Sequence, residues 1–449
     1  MTRARITRAI SKALGKRQLV WFGTRGEDSE SLSDIPQYSG AYSLIAPLST
    51  RPSVKSSSLE DLTTIRPDLD TYDLDEHLRS PEVGALRDTL LHALARPSAL
   101  VTYRPTVFLS AIGFSRQDRC QFLGMFRGMQ NAFEHKPWLE TSISALGIPA
   151  IGWHYVPDRD LLDMRRLFRD GSVMLRRSRT TGGVGLVRVD DPDDLEALWP
   201  EEDEAFVSVS RYIPDGVPVN ISGVVWASEV SVHRASIQLI GLPACTSRPF
   251  GYCGNDFAAC SLLDPLILDQ IERSTRLIGT WLRCSGYLGA FGIDFLVANG
   301  VPLFTEVNPR FQGSTHLSCQ LSIERDESCL ITDHIGAFLG LEPPEQRPLR
   351  EQMADDVDLA HFVVHNILDA AESIDGSAVV APFRSLNAFE RADVLTSTRL
   401  TTEPNGTIAR MTMRGSVTTT GFDLSSPYAD LVDDAQEALR HQRAPQPSA

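Results

Sequence analysis

The spacing of apolar and polar positions changes period several times along the chain. Gln18 to Gly23 (QLVWFG) is a continuous apolar run ending at glycine, which predicts a buried strand; AYSLIAPL, after a polar acidic loop, predicts a second apolar element. The Ser-rich residues 51–60 predict a surface loop, and residues 75–96 place leucine-type and charged positions at helical spacing. Ala99 to Tyr103 and Thr106 to Leu109 read as short strands, so residues 18–115 suggest an α/β domain of the open-sheet kind. A helical stretch at about 116–147 ends at Gly147, and IPAIGWHYV follows as a strand opened by proline. A helix is expected over 161–170, then strands VMLRRS and GLVRV on either side of the loop TTGG, then a helix starting near Pro192. FVSVSRYI and VNISGVVWASEVSVHRASIQLI, rich in β-branched residues, predict antiparallel strands. A long Gly/Pro/Cys loop leads to a helix over 264–284 and then to FGIDFLVANGVPLFTEVN, where Asn299-Gly300 signals a tight hairpin. A Pro/Glu-rich linker around 342–350 precedes a mixture of helix and strands, a final helix, and a tail from His441 on that is expected to be disordered.

Composition narrows the classes. At 449 residues, with 42% hydrophobic and 22% charged residues, the chain has enough apolar material for two to four cores. A formal charge of −15 argues against a general nucleic-acid binder, while leaving room for a local basic cleft. No run of 18 apolar residues exists, so no membrane span and no membrane partner are expected. Six basic residues among the first seventeen, with no apolar stretch or small-residue cleavage site after them, read as a short amphipathic helix, exposed or lightly docked. The seven cysteines form no CxxC pair and read as free thiols of a reducing cytosol rather than a zinc site. A cytoplasmic location is the expectation; a homodimer is one assembly the sequence leaves open.

The hairpin carries the chemistry. Glu306 and Asn308 are two apart on its second strand and share a face, with Asp294 on the paired strand able to converge on it. Two carboxylates and an amide oxygen make a hard-oxygen site suited to Mg²⁺ bridging phosphates. Arg310, two residues further, adds a planar positive fork for phosphate or carboxylate. The competing reading is a pair of solvent-facing acids on a surface hairpin.

The stretch GYLGAFGIDFLVANGVPLFTEVNPRFQGSTH resembles the metal-binding signature of the ATP-grasp superfamily, in which an acid on one strand precedes an E-x-N-x-R run on the next. That resemblance implies Asp294, Glu306 and Asn308 as magnesium ligands and Arg310 as the group that steadies the transferred phosphoryl or the acyl-phosphate. It also implies three upstream elements. HKPWLETSISALGIPAI places Lys136 on the nucleotide phosphates. VMLRRSRTTGGVGLVRV has the family's strand and flexible glycine loop, with Gly182, Gly183 and Gly185 over the triphosphate and Arg176 where a lysine is usual; Arg177 is expected to point the opposite way. SRYI stands at the adenine hinge, with Ser210 in the place of a common glutamate and Arg211 and Ile213 serving through backbone atoms.

The layout further resembles the pheganomycin-type peptide ligases of microbial natural-product pathways. In those terms residues 1–115 are a pre-ATP-grasp α/β domain, 116–340 the ATP-grasp core of two α+β subdomains holding ATP between them, and 350–440 a small C-terminal domain. The implied activity is ATP-dependent joining of a carboxylate substrate to an amine (an amino acid or peptide) through an acyl-phosphate. Acid–thiol ligation, kinase activity and non-catalytic nucleotide binding are the alternatives. His316, His233 and Arg234 are candidates for substrate contact or for the base that deprotonates the amine.

Overall fold

The computed structural model describes residues 2–46, 55–66, 73–157, 168–169, 171–178, 182–200, 206–394 and 401–441. The helix expected over 161–170 lies almost wholly outside these residues, as does the tail beyond His441.

The apolar run QLVWFG forms the strand Gln18–Arg25, the middle of a five-stranded parallel sheet. Tyr38–Ile45 and Lys55–Ser58 lie on one side of it, Ser98–Thr102 and Cys120–Leu123 on the other. Unbroken hydrophobicity is required because both faces are covered. Val20, Phe22 and Leu100 pack under the helices Pro81–Ala93 and Val107–Ser115. Leu19, Trp21, Ala99 and Val101 join the core on the other face, which also takes up Ile6, Ile10 and Leu14. The N-terminal helix Arg3–Leu14 is thus docked through a buried stripe.

Four local expectations are corrected. The segment 55–63 is not a loop: it forms the edge strand Lys55–Ser58 and the helix Leu59–Thr63, started by a capping box between Ser58 and Asp61. Thr106 to Leu109 is not a strand, because Thr106 caps the helix Val107–Ser115 by accepting the Leu109 N–H. The stretch 116–147 is not one helix. Cys120–Leu123 leaves it to extend the parallel sheet, and two helices follow, Arg127–Phe133 and Lys136–Ser144. Of IPAIGWHYV only His154–Val156 is a strand.

The larger sheet has eight antiparallel strands in the order Val301–Asn308, Gly289–Ala298, Val217–Val225, Val230–Ile240, Tyr252–Asp256, Leu359–His365, Thr407–Arg414 and Phe389–Val394. The helix Pro265–Cys284 covers one face through Leu268, Ile271, Ile278 and Leu282. A four-stranded antiparallel sheet contains His154–Val156, Val207–Arg211, Val173–Arg176 and Leu186–Val189. Asn299 (φ 51°) and Gly300 (φ 74°) turn the hairpin in the left-handed region that an Asn-Gly pair tolerates. Six cysteines are buried and Cys284 is exposed, all of them free thiols. Among the described residues no helix is long and apolar enough to cross a membrane.

His334, on the helix Leu330–Phe338, joins the two large sheets. Its Nδ1 accepts the Ala290 N–H at 2.9 Å, and its Nε2 donates to the Leu123 carbonyl at 2.9 Å, the neutral tautomer these partners require. Burial pushes its pKa down to about 4, against the backbone bond to Leu123. The unfolded chain therefore takes up a proton on His334 below pH ~6.5 that the folded chain refuses until about pH 4. Stability should fall as pH drops through that window, by up to roughly 3 kcal/mol from this group. Urea titrations from pH 7 to pH 4 check this: His334→Gln should be less stable at pH 7 and lose less on acidification.

Candidate active site

A cleft of about 1180 Å³ is lined by the four-stranded sheet, the eight-stranded sheet and the ends of the parallel strands. Among the described residues eight lysine or arginine and six acidic side chains line it, in a chain whose net charge is −15, so the cleft departs from the molecule's overall acidity.

At its floor Asp294 and Glu306 lie directly opposite each other across the hairpin, with a bulge immediately after Asp294. Asp294 is buried and collects donors from several strands. Asn220, opposite it on the strand Val217–Val225, donates from Nδ2 at 2.5 Å, Asn308 at 3.1 Å, Gln238 at 3.2 Å and Gln312 at 3.5 Å. Gly292 makes room for Gln312: a Cβ there would lie 1.6 Å from its Oε1. Burial still pushes the Asp294 carboxyl up, against the hydrogen bond from Asn220 and the charges of Lys136 and Arg310. Asn308 Nδ2 bridges Asp294 Oδ2 (3.1 Å) and Glu306 Oε1 (3.2 Å), so both carboxylates reach within hydrogen-bond distance of one point. Two converging carboxylates, one of them under-compensated, fit a divalent cation.

Cationic groups surround this cup. Lys136, the first residue of its helix, is ion-paired to Glu306, and burial followed by the charge of Arg176 pushes its pKa down to about 7. Arg310 donates to Asn308 Oδ1 and the Phe311 carbonyl, each at 3.0 Å, and forms no ion pair among the described residues. Arg176 ends its strand buried against Glu140 at 2.5 Å, with its guanidinium 4.0 Å from the centroid of the Trp153 ring. A planar guanidinium fills that slot by stacking and pairing together, which a lysine ammonium would not do. Arg177 lines the cleft as well, contrary to the alternation expected of a strand, because the strand stops at Arg176.

Gly182 and Gly183 line the cleft, and Gly185 sits at the loop's base with its carbonyl accepting the Arg177 N–H at 3.2 Å. All three have positive φ. At Gly183 (φ 78°) a Cβ would fall 2.0 Å from the Phe250 carbonyl, so this loop meets the loop 242–251 at a point only glycine allows. Ser210, Arg211 and Ile213 line the side formed by the small sheet, where the Tyr212 N–H is held by the Ser172 carbonyl at 2.8 Å.

The third wall comes from the N-terminal sheet, and the sequence reading missed it. Thr24 and Arg25 end one parallel strand, and Tyr103 and Arg104 follow the next. Glu134 pairs with Arg104 at 3.1 Å and Arg127 at 2.8 Å; burial opposes its ionisation, but these guanidiniums and Arg310 hold its carboxyl below the ordinary value. Glu140, Asn220 and Gln312 were also missed, since each acts by contact with a residue distant in sequence. The other candidates do not line the cleft. His233 approaches Asp333 at 3.3 Å, Arg234 pairs with Glu327 at 2.9 Å, and His316 is buried in the helix Thr315–Glu324.

Residues 155–314 match the family model of the ATP-grasp domain. The chain carries an ATP-grasp domain. Among solved structures it is similar in fold to biotin carboxylase from Campylobacter jejuni in its β-γ-ATP complex, with 14% identity over 91% of this chain and 89% of that one, at a TM-score of 0.57. The biotin carboxylase domain of Hydrogenobacter thermophilus 2-oxoglutarate carboxylase gives 13% identity, coverage of 89% and 86%, and a TM-score of 0.58. Carboxyaminoimidazole ribonucleotide synthase from Aspergillus clavatus, complexed with ATP, gives 13%, coverage of 93% and 99%, and 0.57. A search of curated protein sequences finds no match. With the parallel N-terminal sheet and the two antiparallel sheets, these matches establish the ATP-grasp architecture.

Both partners of the Arg176–Glu140 pair are less than a tenth exposed. Removing one charge strands the other, at a cost of about 3 kcal/mol. Glu140→Ala should lose about that much in urea unfolding, and Glu140→Ala with Arg176→Met should recover part of it. A loss in the double variant equal to the sum of the losses of Glu140→Ala and Arg176→Met measured singly would show that the pair is not coupled.

Proposed function

We propose that the chain is an ATP- and magnesium-dependent carboxylate–amine ligase that forms an amide or peptide bond through an acyl-phosphate, similar to the pheganomycin-type ligases of natural-product biosynthesis. The observation that carries this reading is that the Asp294 and Glu306 carboxylates both reach the Asn308 amide, with Lys136 and Arg310 beside them, inside the cleft of an ATP-grasp domain.

Asp294 and Glu306 would hold magnesium, joined by Asn308 once its amide turns so that Oδ1 rather than Nδ2 faces the two carboxylates, and the ion would screen the negative charge of the phosphates. The Lys136–Glu306 pair opens as ATP enters, and Lys136 and Arg176 bind the phosphates. Gly182, Gly183 and Gly185 let backbone N–H groups approach the triphosphate. Arg211 and Ile213 hold the adenine edge through their backbone atoms. The substrate carboxylate attacks the γ-phosphorus; a new P–O bond forms, the bond to the β-phosphate oxygen breaks, and ADP leaves. The amine nitrogen then attacks the acyl carbon, the C–N bond forms, and inorganic phosphate departs as the nitrogen loses its proton. Arg310 donates to the oxyanion that develops on the carbonyl. Closure of the glycine loop over this centre excludes water that would hydrolyse the acyl-phosphate.

Glu306→Gln keeps the size of the side chain but removes one metal charge. It should lower ATP turnover at least about 100-fold, while the far-UV circular dichroism stays unchanged. A phosphate-release screen of acids, including bicarbonate, against amino acids and short peptides supplies the assay. Phosphate should appear in step with amide product and only when an amine is present. Full activity of Glu306→Gln would remove the metal assignment, and phosphate release without any amine would remove the ligase assignment.

A further inference from the structure

The wall formed by the N-terminal sheet holds a guanidinium, that of Arg25, for which no side-chain hydrogen bond is made among the described residues. Arg25 ends the strand Gln18–Arg25 with its side chain only 9% exposed, and it lines the cleft. Its Nε is buried without a hydrogen bond, and its contact with Asp28, at 3.8 Å, is an ion pair too long to be one. The neighbouring arginines differ in the closeness of their ion pairs: Arg104 and Arg127 are hydrogen-bonded to Glu134 and Arg66 to Glu60, although Arg104 Nε and Arg66 Nη1 are likewise buried without a hydrogen bond. A buried cation left short of hydrogen bonds is costly, which points to a ligand that supplies them.

Its place in the fold points the same way. Ligands of parallel sheets bind beyond the carboxyl ends of the strands, and Arg25 stands at such an end. The adjacent strand leads to Tyr103, whose carbonyl accepts the Phe311 N–H at 3.2 Å, so this wall is tied to the turn that carries Arg310. Asp73 and Glu76 also line the cleft, which makes its charge mixed and favours an anion held by directed hydrogen bonds.

We propose that Arg25 anchors a second oxyanion subsite, which takes a carboxylate or phosphate carried by the substrate away from its reacting group. Arg25 is then a specificity-determining residue. That the oxyanion belongs to a ligase substrate rests on the function proposed above; that Arg25 binds an oxyanion does not.

Calorimetry on the full chain with MgADP present tests it, using succinate, glycerol 3-phosphate and butyrate as probes. Succinate or glycerol 3-phosphate should bind tighter than butyrate, and whichever binds tighter identifies the oxyanion. Arg25→Gln should weaken that probe by about 10-fold, the worth of a charged hydrogen bond, with MgADP affinity unchanged. Arg25→Lys, which keeps the charge without the fork, should weaken it less, and it carries the test if Arg25→Gln does not fold. Equal binding of the probe to wild type and to the folded variants, or no binding of either oxyanion probe to wild type, overturns the proposal. Failure of wild type to bind MgADP would instead count against the nucleotide reading and leave the oxyanion result standing.

Discussion

The centre of this molecule is organised around the cost of burying one carboxylate. Asp294 sits within the eight-stranded sheet, where an ion without partners would be far from stable. Its partners come from four separate places: Asn220 and Gln238 on neighbouring strands, Asn308 on the hairpin partner, and Gln312 beyond the turn. Each constrains its own element. Gln312 reaches Asp294 only because position 292 has no side chain, and Asn220 is held in turn by Ser314 at 2.7 Å. The segment 308–314 is thereby pinned on both sides, and Arg310 is presented in one orientation. Satisfying the buried acid and bringing Asp294, Glu306 and Asn308 together are the same set of contacts.

The hairpin was legible in the sequence because its information is local. A period of two fixes which side chains share a face, and Asn299-Gly300 fixes the turn, so Asp294, Glu306 and Asn308 follow from counting. Elements whose state is decided by distant partners were not legible. Cys120–Leu123 is four residues long and becomes a strand because Ser98–Thr102 offers an open parallel edge. Thr106 to Leu109 is β-branched and apolar enough to pass for a strand, yet the Thr106 hydroxyl captures the Leu109 N–H and starts a helix. The Asp75 carboxylate accepts from Val107 and Phe108 at the same helix start, thirty residues from it in sequence.

The same distinction separates the parts of the site. Lys136, Arg176 and the glycines were expected from the family resemblance, and the cleft brings Lys136, Arg176, Gly182 and Gly183 together with the hairpin carboxylates. What the resemblance did not reveal was why Arg176 suits its place. Glu140 and Trp153 form a slot for a flat cation, and both lie well upstream on other elements. Arg25, Arg104 and Arg127 escaped notice for a related reason. No short pattern distinguishes them from solvent-facing arginines, and only the docking of the N-terminal sheet brings them into the cleft.

That docking also limits how the two halves of the site move. Phe311, the residue after Arg310, donates its N–H to Tyr103 and packs against Trp21, with ring centroids 5.7 Å apart. His334 packs against Phe311 at a tilt, with ring centroids 4.8 Å apart, while bonding Leu123 and Ala290, one backbone group from each large sheet. A rigid junction therefore lies directly behind the cup, and the N-terminal wall keeps its distance from Asp294 and Glu306. The glycine loop is bound differently. It meets the loop 242–251 where Gly183 passes the Phe250 carbonyl, and among the described residues no strand pairing joins the two loops there. On the proposed function, nucleotide access would be governed by the loop 182–185 and its contact with 242–251, and selection among acids and amines would fall to the wall that Arg25 helps to build.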